Sequence, residues 1–128
     1  MADETLTLNW RRESGPTTTA TVTVSGEGDQ NIEVAVPGST TDYHVLASID
    51  VSQLALIYIL ADKALTLKTN STSTPADTIS LAVDKPFLWY SGCGLTMPFT
   101  VDITTLYLTN GTAGTGNVEL HFQYDATP

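Results

Sequence analysis

The stretch that decides the fold covers residues 49–69 and reads IDVSQLALIYILADKALTLKT. Residues 54–61 would place apolar side chains on both faces of an extended strand, a pattern typical of a strand that is covered on both sides. After a polar break at residues 61–64, residues 65–69 alternate apolar and polar side chains. A helix is the competing interpretation, but no stripe with a 3.6-residue period is present. We therefore expect a hairpin at the middle of a sheet.

This stretch has an echo, because residues 49–56 align without gaps on residues 101–108. Both copies read aliphatic, Asp, β-branched aliphatic, hydroxyl, any residue, Leu, any residue, Leu, and a polar turn and an alternating strand follow each. Two strands of one all-β fold can simply share a composition. Alternatively, the chain holds two similar hairpin units, as in sandwiches built from paired Greek keys. We expect Asp50 and Asp102 to cap turns rather than to bind metal.

The composition also favours strands. At 128 residues the chain has the length of one domain, and charged residues make up only 15% of it, below the usual quarter. Threonine takes their place at roughly a sixth of the residues, and it favours pleated, half-buried surfaces. The sequence therefore predicts one all-β domain over residues 1–128, an antiparallel β-sandwich and most typically a jelly roll, with a barrel as the alternative.

Period-two alternation places the strands along the chain. The expected strands cover residues 4–11, 17–25, 32–36, 43–47, the two arms of 49–69, then 78–83, 87–90 and the two arms of a second hairpin at 102–122. Residues 26–29, 70–76 and 91–94 are rich in Gly, Ser, Thr or Pro and are interpreted as loops. No segment of ten or more residues carries a helical stripe.

The charge balance narrows the choice of partners. The formal net charge is −9, and the five cations are scattered except for the neighbours Arg11 and Arg12. Nucleic acid and anionic membrane surfaces are therefore poor partners, because both require clustered cations. No apolar run approaches the roughly eighteen residues of a membrane span. The acidic, polar opening is not typical of a secretory signal, and we expect synthesis and folding in a cytoplasm.

Residues that could carry chemistry are few. His44 and His121 lie in strand segments and are expected to be surface or cross-strand partners. Cys93 sits between two glycines and lacks a neighbouring base or cation. Residues 26–29, supported by Asp42, Asp50 or Asp102, are a weak calcium candidate without the spacing of an oxygen cage. We predict no enzyme, no catalytic residue, no cofactor and no metal.

An aromatic cluster comprises Phe87, Trp89, Tyr90 and Phe99. Sugar-binding sandwiches stack their ligands on exposed Trp and Tyr rings, so this cluster could be a binding platform. The alternative is that the cluster belongs to the core, because Phe87 and Trp89 are in phase and would fill the sandwich while Tyr90 points outwards. We favour the core.

The second half of the chain carries a family resemblance. Residues 98–110, PFTVDITTLYLTN, the ending YDATP at residues 124–128 and the earlier ADTISL at residues 76–81 together resemble small structural proteins from the head gene clusters of tailed phages. The resemblance spans roughly residues 45–128 and leaves the N-terminal third aside. It implies a capsid decoration (cement) protein: a small jelly roll or β-sandwich that forms a homodimer or homotrimer and binds the major capsid protein on the virion surface. It implies no catalytic residues.

Two functional hypotheses follow. In the first, residues 1–12 form a contact strand or arm and, with the aromatic region, supply subunit or shell contacts. Its candidate contact residues are Arg11, Arg12, Phe87, Trp89, Tyr90 and Phe99. In the second, the chain is a carbohydrate-binding sandwich, free or on a phage tail, with Trp89 and Tyr90 exposed together beside polar loops. An enzyme would require His44 or His121 in a cleft with an acid and a nucleophile.

Overall fold

The computed structural model describes residues 2–11 and 13–125, without the side chains of residues 2–4, 10, 11 and 25. Apart from one turn of 3-10 helix at Val51–Gln53, the regular structure of the described residues is entirely β. No helix among them is long and apolar enough to cross a membrane. The strands are β1 (Ala2–Arg11), β2 (Thr17–Gly26), β3 (Gly28–Val36), β4 (Thr40–Ile49), β5 (Leu54–Ala61), β6 (Leu65–Thr69), β7 (Thr78–Leu81), β8 (Phe87–Tyr90), β9 (Ile103–Asn110) and β10 (Gly116–Tyr124).

Strands β3 to β10 form two antiparallel four-stranded sheets. The first sheet has the order β3-β10-β5-β8, and the second has the order β4-β9-β6-β7. The chain passes between the sheets at nearly every connection, and only β6 and β7 are consecutive neighbours in one sheet. This strand order is that of a jelly roll. The all-β, antiparallel sandwich expected from the sequence is therefore confirmed.

The core lies between the two sheets and follows the period-two pattern of the strands. In β10, for example, Val118, Leu120 and Phe122 are buried while the residues between them face outwards. The corresponding apolar phase of β6, Leu65 and Leu67, packs into the same cluster from the second sheet. Burial of such side chains, about 1.5–3 kcal/mol for each large one, is the main stabilising term of the sandwich.

The strands of the two predicted hairpins are present, but the prediction that they pair with each other is wrong. The arms β5 and β6 lie in different sheets, and so do β9 and β10. The connection at residues 62–64 carries the chain across the sandwich, and the Asp62 carboxylate there accepts a hydrogen bond from the Asn117 backbone N–H at 2.8 Å. The pattern could not distinguish the two arrangements, because both point the same alternating side chains into a core.

The sequence echo has a structural counterpart. If the order of one sheet is reversed, β5 falls on β9 and β6 falls on β10. The two copies thus occupy equivalent positions in opposite sheets of the jelly roll, as paired Greek keys require. The echo is a property of the fold, although its units are not hairpins.

The turns at the start of the two copies, just before β5 and β9, are capped differently. Asp50 Oδ1 accepts a hydrogen bond from the Ser52 backbone N–H at 3.0 Å, which confirms the expected cap. Asp102 instead accepts from the Val51 backbone N–H at 3.1 Å. The second turn is held by Asn70, whose Oδ1 accepts from the Thr104 backbone N–H at 2.8 Å. The two copies are therefore linked to one another at their starts.

Strands β1 and β2 form a separate two-stranded hairpin. They are paired from Ala2 opposite Gly26 to Arg11 opposite Thr17. The expected loop at residues 26–29 is absent, because β2 ends at Gly26 and β3 begins at Gly28. The base of the hairpin therefore continues almost directly into the edge strand of the first sheet and folds over the outer face of that sheet.

This hairpin explains why β5 is apolar on both faces. The inward face of β5 belongs to the main core, whereas Leu56 and Ala55 pack outwards in a second cluster with Val24 of β2. Leu6, Val22, Tyr58 and Tyr90 surround that cluster. The covering expected on both faces of residues 54–61 is thus supplied by the second sheet on one face and by the hairpin on the other.

Candidate contact surface

The β1–β2 hairpin has two chemically different faces. Residues directly opposite each other in an antiparallel pair point to the same side. Leu6 lies opposite Val22 and Leu8 opposite Ala20, which makes one face apolar. The other face pairs threonines with one another: Thr5 with Thr23 and Thr7 with Thr21. The hairpin is therefore an amphipathic ribbon.

The root of the ribbon is held firmly against the first sheet. The Glu27 backbone N–H donates to the Tyr124 carbonyl at 2.7 Å. A Cβ added at Gly26 would lie 2.3 Å from the same carbonyl oxygen, so the chain passes too close for any larger residue. Val24, two residues earlier, is buried against the outer face of β5. The hairpin therefore leaves the sandwich at a fixed position.

The outer half of the ribbon is exposed. Every residue from 13 to 21 is exposed, and Leu8 on the apolar face is 45% exposed. A ten-residue strand is about 33 Å long, and an isolated two-stranded hairpin is only marginally stable in water. An apolar face on such a ribbon becomes more stable when another surface covers it.

Of the two arginines in the predicted contact set, the backbone of Arg11 is described and that of Arg12 is not. The backbone of Arg11 closes β1 opposite Thr17. The Arg11 side chain and the whole of Arg12 are outside the described residues. A contact role for both stays a prediction from the sequence.

The aromatic residues of β8 divide between the two faces of the first sheet. Phe87 and Trp89 pack against the main core, and Tyr90 packs against the second cluster beneath the hairpin. The Trp89 Nε1–H donates to the Leu95 carbonyl at 3.0 Å and so holds the loop that follows. The orientations expected from the phase of the strand are confirmed. Trp89 and Tyr90 share no face, so they do not form a common stacking platform.

Phe99 has to be removed from the contact set. Its side chain is 2% exposed, and its ring centroid lies 6.4 Å from that of Phe122 in the main core. The burial arises because the segment after β8 folds back against the sandwich. Phe87, Trp89 and Tyr90 are half-buried, and their contact role stays a prediction.

Two exposed apolar residues on the sandwich were not predicted from the sequence. Leu46 is 77% exposed on β4, and Leu95 is 69% exposed in the loop after β8. For Leu46 a signal existed, because Val45 and Ala47 lie on the inward phase and leave the leucine pointing outwards. The loop around Leu95 has no period from which exposure could be deduced.

The two histidines have the cross-strand roles expected of them. His44 stacks on Tyr107 of the neighbouring strand, with ring centroids 5.5 Å apart. His121 lies opposite Asn31, and its Nδ1 is 2.6 Å from Asn31 Oδ1. Among residues 2–11 and 13–125, no three His, Cys, Asp or Glu side chains are grouped so that they could hold a metal ion.

Two titratable groups are shifted by their surroundings. Hydrogen bonds from the backbone and side-chain amides of Asn117, at 2.8 and 3.0 Å, lower the pKa of Asp62. Burial raises the pKa of Tyr124, whose hydroxyl donates to Gln30 Oε1. Both groups reinforce the first sheet, since Asp62 and Tyr124 lie at opposite ends of its β5–β10 pair.

Comparison with known proteins does not identify a family for this chain. Neither a protein-family model nor a curated protein matches the chain. Among solved structures, the crystal structure of the Yersinia pseudotuberculosis-derived mitogen is similar over 79% of this chain and 89% of that chain, with 11% sequence identity and a TM-score of 0.39. A likeness this distant carries no argument about function. The fold assignment rests on the strand order described above.

Proposed function

We propose that the chain is a non-enzymatic viral structural protein, a decoration (cement) protein that binds the outer surface of a tailed-phage head and stabilises it. The partner would be the major capsid protein, and the protein would reach the virion surface after synthesis in the host cytoplasm. One observation carries the proposal: an amphipathic hairpin, rooted in a jelly roll, extends its outer half into solvent, with Leu8 exposed on its apolar face. The sequence resemblance to phage head proteins supplies the kind of partner.

The hairpin suits a contact arm for energetic reasons. Its strands are already paired, so less conformational entropy is lost on binding than for an unstructured tail. Leu8 is 45% exposed, so covering the rest of it would contribute about 1 kcal/mol, roughly half of the value for complete burial of a leucine. Arg11 and Arg12 bring the only adjacent positive charges of a chain with net charge −9 to this segment. Opposite charge on an acidic shell patch would then favour docking and fix its orientation.

The body of the molecule suits the same role. Three of the four edge strands of the sandwich are short or irregular: β7 and β8 are only four residues long, and β4 carries register shifts, whereas β3 is a regular nine-residue strand. Short or irregular edges resist uncontrolled pairing with other chains. A net charge of −9 keeps a surface coat from adhering to DNA or to other particles. We expect a homodimer or homotrimer, and neither nucleic acid nor a membrane as partner.

The hairpin hypothesis is tested with empty heads assembled from the major capsid protein of the same genome. The full-length chain should co-sediment with these heads, and Leu8→Asp should weaken binding by roughly tenfold or more. Thr7→Asp is the matched control, because the neighbouring residue lies on the opposite face of the same strand, and it should bind like the wild type. Equal binding of all three proteins would contradict the proposed arm.

Self-association is tested separately by native mass spectrometry and light scattering of the full-length chain. A closed dimer or trimer is the expected result. A strict monomer that also fails to bind heads would count against the proposed function as a whole.

A further inference from the structure

A groove lies between the base of the hairpin and the outer face of the first sheet. It has a volume of about 220 Å³. Thr5 and Leu6 of β1 form one wall, Leu56 and Tyr58 of β5 line it from below, and Asn31 and His121 lie on the other side. The groove exists because the hairpin packs on β5 but leaves the polar outer residues of β3 and β10 uncovered.

The ring pair in this groove is held in place by the sheet. Tyr58 and His121 are directly opposite each other on β5 and β10, and their ring centroids are 5.8 Å apart. Asn31, on the next strand, fixes the imidazole through the 2.6 Å contact to Nδ1. The other imidazole nitrogen lies 3.7 Å from Glu119 Oε2. Such side chains lose little freedom on binding a ligand, because they are already positioned.

The lining also limits what could bind. An anion would be repelled by Glu119 and Asp29, which lie beside His121 and Asn31, and by the net charge of −9. The apolar floor at Leu56 and the rings is unsuited to a hydrated cation. A neutral molecule with one apolar face and hydroxyl groups at its edge fits both the rings and the polar rim.

We propose that this groove binds a single neutral pyranose sugar, such as the terminal unit of a surface glycan. The C–H face of the sugar would lie against the tilted rings of Tyr58 and His121, and its hydroxyls would exchange hydrogen bonds with Thr5 and Asn31. The site differs from the Trp89 and Tyr90 platform considered from the sequence. It does not depend on binding to a capsid.

The test uses the full-length protein labelled with ¹⁵N and titrated with the methyl pyranosides of glucose, galactose and mannose. At least one should shift the amide resonances of Thr5, Asn31 and His121, with a dissociation constant in the millimolar range. His121→Ala and Asn31→Ala should weaken that binding by roughly tenfold. His44→Ala and Tyr107→Ala are matched controls, because they remove the equivalent ring pair from the open face of the second sheet, and they should bind like the wild type.

Three results would overturn the proposal: no shift in the groove with any neutral pyranoside, equal loss in the His44→Ala and His121→Ala variants, or binding of methyl glucuronide alone. The dispersion of the amide spectrum shows for each variant that the fold is intact. Head binding is not part of this measurement, so its outcome is independent of the decoration hypothesis.

Discussion

Asn110 lies at the end of β9, with its side chain fully buried. Its Nδ2 donates to the carbonyls of Val36 and Gly114 at 3.1 and 2.9 Å. Its Oδ1 accepts from the backbone N–H and the hydroxyl of Thr112 at 3.0 and 2.6 Å. One side chain thus ties the β9–β10 connection to the end of β3 and satisfies three backbone groups.

Replacing this amide should be costly. Asn110→Ala leaves the buried Val36 carbonyl and two partly buried backbone groups without the Asn110 amide, and we expect the free energy of unfolding to fall by about 1–3 kcal/mol. Urea denaturation followed by tryptophan fluorescence measures the change. Thr115→Ala, at an exposed position of the same connection, should stay within about 0.5 kcal/mol of the wild type. Similar losses in both variants would show that Asn110 does not hold the connection.

Asp62 predicts a specific dependence on pH. Its hydrogen bonds with Asn117 favour the carboxylate, so its pKa is lower in the folded state than in the unfolded chain. The stabilisation is therefore complete above the ordinary carboxyl pKa of about 4 and is lost as the pH falls through the lowered value. Asp62→Ala should be less stable than the wild type at pH 6, and the difference should shrink below about pH 4. Glu13→Ala controls for the change in net charge, and a constant difference for Asp62→Ala would refute the assignment.

At the scale of elements, the sequence predicted the strands better than their partners. The alternation of Leu65 and Leu67 shows that β6 is a strand with one buried face. It does not show which sheet receives it, because both a hairpin and a crossover place that face in a core. The pairing of β5 with β10 joins Ala61 to Val118 and is decided by packing across the whole sandwich.

The contact surface was predictable only in part. The period-two spacing of Leu6 and Leu8 indicates an apolar face, but it does not show how much of that face the first sheet covers. The boundary is set by the position at which the hairpin crosses β5, which leaves Leu6 half-buried and Leu8 exposed. The contact role predicted for Phe99 is wrong, because residues 97–99 have no periodicity from which its burial in the core could be deduced.

The exit of the hairpin from the first sheet can be tested at Gly26. In Gly26→Ala the new methyl group would collide with the Tyr124 carbonyl, since the ideal Cβ lies only 2.3 Å from its oxygen. We expect a loss of about 1–3 kcal/mol, typical of overpacking, and faster hydrogen exchange in β1 and β2. Gly28→Ala is the matched control, because a Cβ there meets no atom within 4 Å. An unchanged exchange rate in Gly26→Ala would show that the root is not fixed.

For the whole molecule, the two sheets are equivalent in strand order but not in their outer faces. The hairpin covers part of the first sheet and leaves the groove beside it. The second sheet presents Thr66, Thr105 and Thr109 outwards, together with Lys68, which is 3.4 Å from Asp42. The internal symmetry of the core is therefore broken at the surface, because among the described residues the β1–β2 hairpin packs on the first sheet alone.

Because the hairpin is separate from both four-stranded sheets, we expect the sandwich to fold without it. A chain lacking residues 1–25 keeps every strand pair of both sheets, so it should still unfold cooperatively, although at a lower temperature. It also uncovers Ala55, Leu56 and Tyr90 on the first sheet, which should increase binding of the dye ANS. Calorimetry and dye fluorescence measure both effects, and Leu56→Thr in the shortened chain should reduce the added fluorescence. Loss of the cooperative transition would instead show that the sandwich needs the hairpin in order to fold. A hairpin that is available to bind another surface would then be excluded.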